Sequence, residues 1–445
     1  MLFFYDVILL IILVRVFVKN SKIIEITDSE SNVFPDYKLP IVTILLPLYK
    51  EKRTLQYLLE SILQSNYPKS KLDIRFLIEH DDTETLRSIL SLSDNWNRIE
   101  EIEFNKYGIP KKIKVLDKAS IEIDYIFKGV RTKPNALNVG LKNAKGDMLI
   151  IYDAEDRPNP NEMRKMAKYM MENPEIACVQ ARLSYYNADQ SLLTKLFTIE
   201  YIQHFLVMLP EYFSMKHIIP LGGTSNFFRV EVLRDLNGWD PMNVTEDADL
   251  GIRLARRGYL TVPMNVITWE EAPPGIYYWI RQRVRWNKGY LYTLVRLFRH
   301  PLQLMRDVGF KSIISIVHLL SYPVISIITL VGWVFFSLYW LDWFGIVAVQ
   351  PLADWIHEAF ESSPPLFYMA LLTLAFGVFY NTFVGLEGLF RQQDDYALGK
   401  VKYIFLTPLY LLLHGISAVI ATVELVLKPN VWHKTPHGFS IKDVK

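Results

Sequence analysis

Two apolar runs, at 312–341 and 366–390, constrain this chain more than any other feature of its sequence. Each is long enough to cross a bilayer as a helix, since a hydrocarbon core takes about 20 apolar residues at helical rise. A wholly soluble protein, a disordered chain and a small disulfide scaffold are excluded. Of 445 residues, 51% are hydrophobic and 22% charged, only slightly off an ordinary globular balance. Almost all of the apolar excess sits at the N-terminus and beyond residue 311. Residues 20–300 read as an ordinary soluble domain.

Leu2–Val18 is apolar except for Asp6 and Arg15. It lacks the basic start and small-residue cleavage site of a signal peptide, so 1–20 reads as a transmembrane anchor. The loop 342–365 holds acids such as Asp342, Asp354 and Glu358 but no Lys or Arg. The stretch before 312 holds Arg281, Arg283, Arg285, Lys288, Arg296, Arg299 and Lys311. The positive-inside rule therefore places the central domain in the cytosol of a plasma-membrane protein and 342–365 outside. Arg391, Lys400 and Lys402 bring the next loop back inside. The region 312–427 is thus a set of transmembrane and interfacial helices. Segment 401–427 carries Pro408, His414 and Glu424, and the tail 428–445 holds Lys428, Lys434, Lys442 and Lys445. Either 401–427 lies along or re-enters the membrane, bent at Pro408, or the tail is external; the first reading is preferred.

The charge count, 49 basic against 47 acidic, gives +2 and argues against a nucleic-acid partner held by bulk charge. The single cysteine, Cys178, allows no disulfide within the chain and no Cys-ligated zinc site. The chemistry must rest on oxygen and nitrogen groups.

Residues 36–300 alternate strand and helix signals. Ile41–Leu46, Ile74–Glu79, Met148–Asp153 and Ala177–Ala181 are β-rich runs ending in polar residues. Between the first two, Leu55, Leu58, Leu59, Ile62 and Leu63 fall at helical spacing. Strand–helix–strand order implies an α/β domain with a largely parallel sheet and its chemistry at the C-terminal strand ends.

Three constellations stand out. Asp153-Ala154-Glu155-Asp156 follows the strand MLIIY directly. Its carboxylates repel one another unless they surround a hard divalent cation bridging phosphate oxygens; a solvated acidic turn before Pro158 would look the same. Thr245-Glu246-Asp247 opens a helical pattern. It reads either as a helix cap or as a carboxylate base whose pKa the helix terminus would depress. Arg281-Gln282-Arg283-Val284-Arg285-Trp286 lies on an amphipathic stretch beside the membrane. It is either a basic interfacial helix or a fork for pyrophosphate at Arg285 with a sugar-stacking face at Trp286. Lys133 to Asn138 offers a phosphate-facing Lys with amides, and Gly222-Gly223 would let a ligand approach the backbone.

In this order, and followed by membrane helices, the motifs resemble the inverting family 2 glycosyltransferases of the membrane-bound polysaccharide-synthase type, relatives of cellulose, hyaluronan and chitin synthases. The resemblance runs from about Pro40 to Arg299. It implies a GT-A nucleotide-sugar-binding α/β domain with a mostly parallel sheet, flanked by transmembrane and interfacial helices. It also implies a Mg2+ or Mn2+ ion on Asp153 and Glu155, and Asp247 as the base with Glu246 beside it. Gln282, Arg285, Trp286 and Thr245 would then line the acceptor and diphosphate site. Lys133 and Asn138 are similar to the stretch that meets the nucleotide. Two departures stand. Glu155 occupies a position where the family often has Asp. Glu79-His80-Asp81-Asp82 replaces an Asp-Asp-Gly, so whether Glu79, Asp81 or Asp82 meets the nucleoside is open. Trp432, Lys434 and Thr435 resemble a gating segment, although an interfacial Trp with basic neighbours would read alike.

The resemblance is nearest to exopolysaccharide-type synthases without a cyclic-dinucleotide-binding domain. It implies a nucleotide-sugar donor, UDP-glucose before GDP-mannose, and a growing β-linked polysaccharide exported through the membrane helices. The alternative is single transfer to a lipid acceptor. Three or four spans are few for a pore, so a homo-oligomer or an accessory subunit would complete one; membrane lipid is the remaining partner.

Overall fold

The computed structural model describes residues 2–19, 21, 23–51, 54–95, 99–115, 119–346, 354, 358, 362–428 and 438–439. The alternating segments of the central domain form one ten-stranded sheet in the order β3-β4-β5-β2-β1-β6-β9-β8-β10-β7. The strands are β1 (Val42–Leu48), β2 (Leu72–Glu79), β3 (Ile99–Phe104), β4 (Pro110–Val115), β5 (Ser120–Ile126), β6 (Met148–Ile151), β7 (Arg157–Pro158), β8 (Ile176–Tyr185), β9 (Asn226–Arg229) and β10 (Leu260–Glu270). Pairing is parallel among β5, β2, β1 and β6 and between β8 and β10. It is antiparallel at β9, at the β3–β4–β5 edge and at β7. Only β4, β7 and β9 run against the rest, so the sheet is mostly parallel.

The central strands are buried on both faces, which is why they read as β-rich, mostly apolar runs without strict alternation. Ile44 and Leu46 of β1 point into one core with Phe76, Ile78, Met148 and Ile150. Leu45, Leu77, Leu149 and Ile151 point into the other. The helix Leu55–Leu63 covers the first face with its Leu and Ile stripe. The helix Lys133–Asn143 covers the second, where Gly140 admits Leu45: a Cβ there would lie 2.7 Å from Leu45 Cδ2. Because the helices follow strands that run the same way, the ends of β1, β2, β6 and β10 open toward one side.

Among the described residues four helices are long and apolar enough to cross a membrane: Leu192–Ser214, Tyr322–Trp343, Tyr368–Gln392 and Asp395–Leu427. The first lies inside 36–300, which the sequence reads as the cytosolic domain, and 61% of its apolar window is buried within the protein. The N-terminal helix Leu2–Lys19 carries Asp6, Arg15 and Lys19 and falls outside this set; it packs Ile12 and Val16 against Val207 and Val384. The run 312–341 also divides: one helix ends at Leu320 and the next begins at Tyr322. Pro408 does not bend a helix. It occupies the first turn of Thr407–Leu427, where its missing N–H costs nothing.

That last helix lies along the helix Ile276–Leu297. Trp279 Nε1 donates to Tyr410 Oη at 3.2 Å, Asn287 Nδ2 donates to Ser417 Oγ at 3.0 Å, and Lys288 Nζ donates to the Lys428 carbonyl at 2.6 Å. The tail then returns to the domain. Gly438 N–H donates to Glu271, and Phe439 packs on Tyr278 with ring centres 5.0 Å apart. Trp432, Lys434 and Thr435 lie outside the described residues, as does most of 342–365.

Candidate active site

The C-terminal strand ends and the membrane-side helices enclose a cavity of about 1000 Å³. Glu79, Lys133, Asp153, Glu155, Thr245, Glu246, Asp247, Gln282, Arg285 and Trp286 all line it. Three motifs spread over more than a hundred residues of sequence thus face one space.

The acidic turn after β6 is shaped by its third acid. Asp156 is buried and accepts from the Asp153 N–H at 2.7 Å and from the Thr224 hydroxyl. This tie folds Asp156 away from the cavity and leaves Asp153 and Glu155 on it. Lys133, in the first turn of its helix, reaches Asp153 Oδ1 at 2.5 Å and donates to the Gly223 carbonyl at 2.7 Å. Burial opposes its charge, but Asp153, Glu246 and Asp247 outweigh burial and hold the ammonium above its ordinary pKa. Burial, with Asp153 and Glu51 nearby, pushes Glu155 up to about 8.

Glu246 and Asp247 open the helix Glu246–Arg256. Burial, reinforced by Asp247, pushes Glu246 up to about 7. Asp247 Oδ1 accepts from the Ala248 N–H at 2.8 Å. The helix terminus, Lys133 and Arg285 lower the Asp247 pKa, yet burial outweighs them and the net shift is upward. The expected depression at a helix start is therefore reversed, because the cavity wall removes solvent from the carboxylate. A Cβ on Gly223 would lie 3.3 Å from Asp247 Oδ2, so a small residue lets this loop approach the acid.

Gly289 brings the basic helix Ile276–Leu297 against this turn, since a Cβ there would lie 2.4 Å from Thr245 Oγ1. Arg283 faces inward, where it pairs with Glu200 at 2.5 Å and covers the Phe197, Trp279 and Trp286 rings. Its guanidinium lies 4.6 Å from the Trp286 ring centre, so one face of that ring is already occupied. Gln282 Oε1 and Arg285 Nε are buried without a hydrogen-bond partner. Two helix N-termini, at Lys133 and Glu246, also meet the cavity, and the positive end of each helix favours an anion there. Together these groups can hold a diphosphate, and a hard cation between carboxylates, beside a desolvated acid.

Two residues expected at the site are not brought to it. Asn138 Nδ2 donates to the Trp239 carbonyl at 2.8 Å and its Oδ1 accepts the Trp239 N–H at 2.9 Å. It pins the turn at Gly238 instead of lining the cavity. Asp81 is exposed and pairs with Arg131 at 2.5 Å; Glu79 and Arg131 line the cavity while Asp81 does not. Asp82 caps the helix after β2, accepting the Thr85 N–H at 3.1 Å. Glu51 and Glu270 were not anticipated. Both follow β-rich runs, the signal that singled out Asp153, and both line the cavity. Burial, then Glu155 and Asp153, raises Glu270 far above the usual carboxylate range.

Comparison with known proteins is consistent with this geometry. "Probable glycosyltransferase YdaM" of Bacillus subtilis (strain 168) is 24% identical over 406 residues, covering 89% of this chain and 87% of that protein. "Probable glucomannan 4-beta-mannosyltransferase 14" of Arabidopsis thaliana is 25% identical over 270 residues, 59% of this chain. The chain spans 47% of that plant protein's length. Among solved structures, the mannosyltransferase PcManGT from Pyrobaculum calidifontis, in complex with GDP-Man and Mn2+, shares the fold. Its TM-score is 0.52 at 17% identity, over 89% of this chain and 92% of that one. The model of glycosyl transferase family group 2 matches residues 148–380, a little over half of the chain. The chain belongs to glycosyl transferase family group 2.

Proposed function

We propose that the protein is a membrane-embedded inverting hexosyltransferase. It moves a sugar from a nucleoside-diphosphate donor to a hydroxyl of a β-linked glycan on the cytosolic face of the plasma membrane. The observation that carries this reading is the convergence of Asp153, Glu155, Asp247, Lys133 and Arg285 on one cavity. UDP-glucose is the donor expected from sequence; the mannosyltransferase relatives and the GDP-mannose-bound fold neighbour put GDP-mannose beside it.

Asp247 accepts the proton of the acceptor hydroxyl, and its raised pKa suits a base working near neutrality. The hydroxyl oxygen attacks the anomeric carbon on the face opposite the diphosphate, which inverts the configuration. Arg285 and Lys133 steady the negative charge that collects on the leaving diphosphate. Asp153 and Glu155 would hold a divalent ion. Their oxygen donors are hard, and Glu155, pushed up to about 8 by burial with Asp153 and Glu51 beside it, is a carboxylate that a cation would relieve. That ion, when bound, would neutralise diphosphate oxygens. Glu246 and Glu270 remain beside the carboxylates and sharpen their need for a positive partner.

The test is nucleoside-diphosphate release by protein in lipid, with UDP-glucose or GDP-mannose and Mn2+ or Mg2+. Release from one donor, lost in Asp247→Asn, supports the reading; equal release in the variant defeats it. Single transfer to a lipid is the second reading: Leu9, Ile325, Ile328 and Leu374 line the cavity's membrane side among Tyr, His and Asn side chains, and product length separates the two readings.

A further inference from the structure

Glu200, on the helix Leu192–Ser214, lines the same cavity as Asp247 and Trp286. Its partners all fall on one oxygen. Oε2 accepts from Arg283 Nη2 at 2.5 Å and from the Tyr410 hydroxyl at 2.6 Å, and His414 Nε2 lies 3.6 Å away. Oε1 takes no hydrogen bond among the described residues. The side chain keeps 28% exposure, against 7% for Arg283 and 1% for His414. Resting on the transferase reading of Asp247, we propose that Oε1 of Glu200 binds a hydroxyl of the acceptor glycan. The sugar ring that carries this hydroxyl lies against the open face of Trp286.

The carboxylate is held in place for such a contact. Arg283 belongs to the helix Ile276–Leu297, and Tyr410 and His414 belong to Thr407–Leu427. Glu200 therefore cannot turn without breaking an ion pair and a hydrogen bond to two other helices. An ionised oxygen makes a stronger bond to a hydroxyl than a neutral one does, and a side chain already fixed loses little freedom in making it. Arg283 also joins the two parts of the subsite. Its guanidinium pairs with Glu200 and lies 4.6 Å from the Trp286 ring centre. The free oxygen and the indole thus stand on either side of one guanidinium. A sugar ring suits both, with a C–H face for the indole and hydroxyls around its rim for the carboxylate.

The neighbouring groups call for the same kind of ligand. Gln282 Oε1 and His414 Nδ1 are buried without a hydrogen-bond partner, and both residues line the cavity. Unpaired polar atoms of this kind are costly, and a hydrocarbon occupant would leave them so. A ring with several hydroxyls both donates and accepts. Glu200 itself takes part in no bond change. The proton of the attacking hydroxyl still passes to Asp247, and Glu200 holds the ring that carries it or the ring beyond.

The experiment uses the full chain in nanodiscs with the active donor and metal, and β-linked gluco- and manno-oligosaccharides as acceptors. Sugar transfer, donor hydrolysis without acceptor and thermal unfolding are measured in wild type, Glu200→Gln and Glu200→Gln/Arg283→Met. Glu200→Gln should raise the acceptor KM about tenfold or more, beyond any change in the variant's own hydrolysis, because a bond to a charged oxygen becomes one to an amide. The double variant also removes the buried cation that Glu200→Gln strands, so it should regain unfolding temperature while its acceptor KM stays high. An acceptor KM that returns together with stability overturns the proposal and leaves Glu200 a packing residue. So does an acceptor KM in Glu200→Gln that stays at the wild-type value or moves only in step with hydrolysis. Wild-type hydrolysis with no transfer to any oligosaccharide overturns the sugar subsite and leaves the donor reading standing. Absence of hydrolysis and transfer with every donor defeats the transferase reading and the inference with it.

Discussion

The Nζ of Lys133 lies 2.5 Å from Oδ1 of Asp153 while donating to the Gly223 carbonyl at 2.7 Å. One side chain thereby ties the turn after β6 to the loop that faces Asp247. It does so among five carboxylates, so its charge holds together groups that would otherwise repel.

Lys133→Met should therefore lower kcat/KM for the donor by about a hundredfold, or about 2.7 kcal/mol. Lys133→Arg should not restore it, because a planar fork cannot place its charge at both partners as a compact ammonium does. Steady-state release of nucleoside diphosphate measures this, and wild-type rates in Lys133→Met would remove Lys133 from the donor site.

Asp153 and Glu155 supply the hard oxygens for the ion. Chelation with EDTA should bring donor turnover to background, and Mn2+ or Mg2+ should restore it. Asp153→Asn should raise the Mn2+ concentration for half-maximal rate about tenfold or more, since one anionic ligand becomes neutral. Turnover that survives exhaustive chelation would show that Lys133 and Arg285 suffice to carry the diphosphate.

Asp247 must be ionised to accept a proton, and burial raises its pKa above the ordinary carboxylate value. Transfer should then fall as pH is lowered through that raised value, so the acid limb of kcat/KM lies above the position of an ordinary Asp. Asp247→Asn should lose about a thousandfold and the limb with it. An acid limb at an unperturbed carboxylate position would mean the cavity is wetter than its walls imply.

The sequence carried the parts of this site whose chemistry is written in adjacent residues. Thr245-Glu246-Asp247 and Gln282 to Trp286 announced themselves by order and spacing, and β1, β2, β6 and β8 by short β-rich runs. What escaped depends on contacts between distant segments. Asn138 looked like a ligand group because an amide near Lys133 suits a nucleotide; only the fold shows its two bonds to Trp239. Glu270 carried the strand-end signal but stood at the end of a strand, β10, that was not picked out. Lys195, Glu200 and Glu211 interrupt the apolar length of Leu192–Ser214, and only the fold shows Glu200 paired with Arg283 eighty-three residues on.

Glu162 tests burial away from the reaction. It accepts from Tyr152 at 3.0 Å and Thr268 at 2.7 Å, and burial pushes its carboxyl from 4.5 up to about 7. Between those values the folded chain binds more protons than the unfolded one, so this group's stabilising contribution is full below 4.5 and is lost as pH rises through about 7. Glu162→Gln removes that slope. Relative to wild type, the variant should gain on the order of 3 kcal/mol between about pH 4 and about pH 8. Thermal unfolding in detergent at both pH values reads the difference, and a gap independent of pH would show that Glu162 is hydrated.

Gly289 and Thr245 fix how the basic helix meets the Glu246 turn. On propensity alone, Gly289→Ala inside a helix should stabilise by about 1 kcal/mol. The structure reverses that sign: the new Cβ would sit 2.4 Å from both Thr245 Oγ1 and Cγ2. The helix must then move, at a cost of about 1–3 kcal/mol, and Gln282, Arg285 and Trp286 move with it. Gly289→Ala should accordingly lower both the unfolding temperature and kcat/KM. Thr245→Ala in the same chain deletes the two atoms at 2.4 Å but keeps Cβ, which a methyl at Gly289 would meet at 2.8 Å. The double variant should thus recover part of the lost stability, which a double-mutant cycle in thermal unfolding resolves. A stabilised Gly289→Ala would mean that the two helices stand further apart than this contact requires.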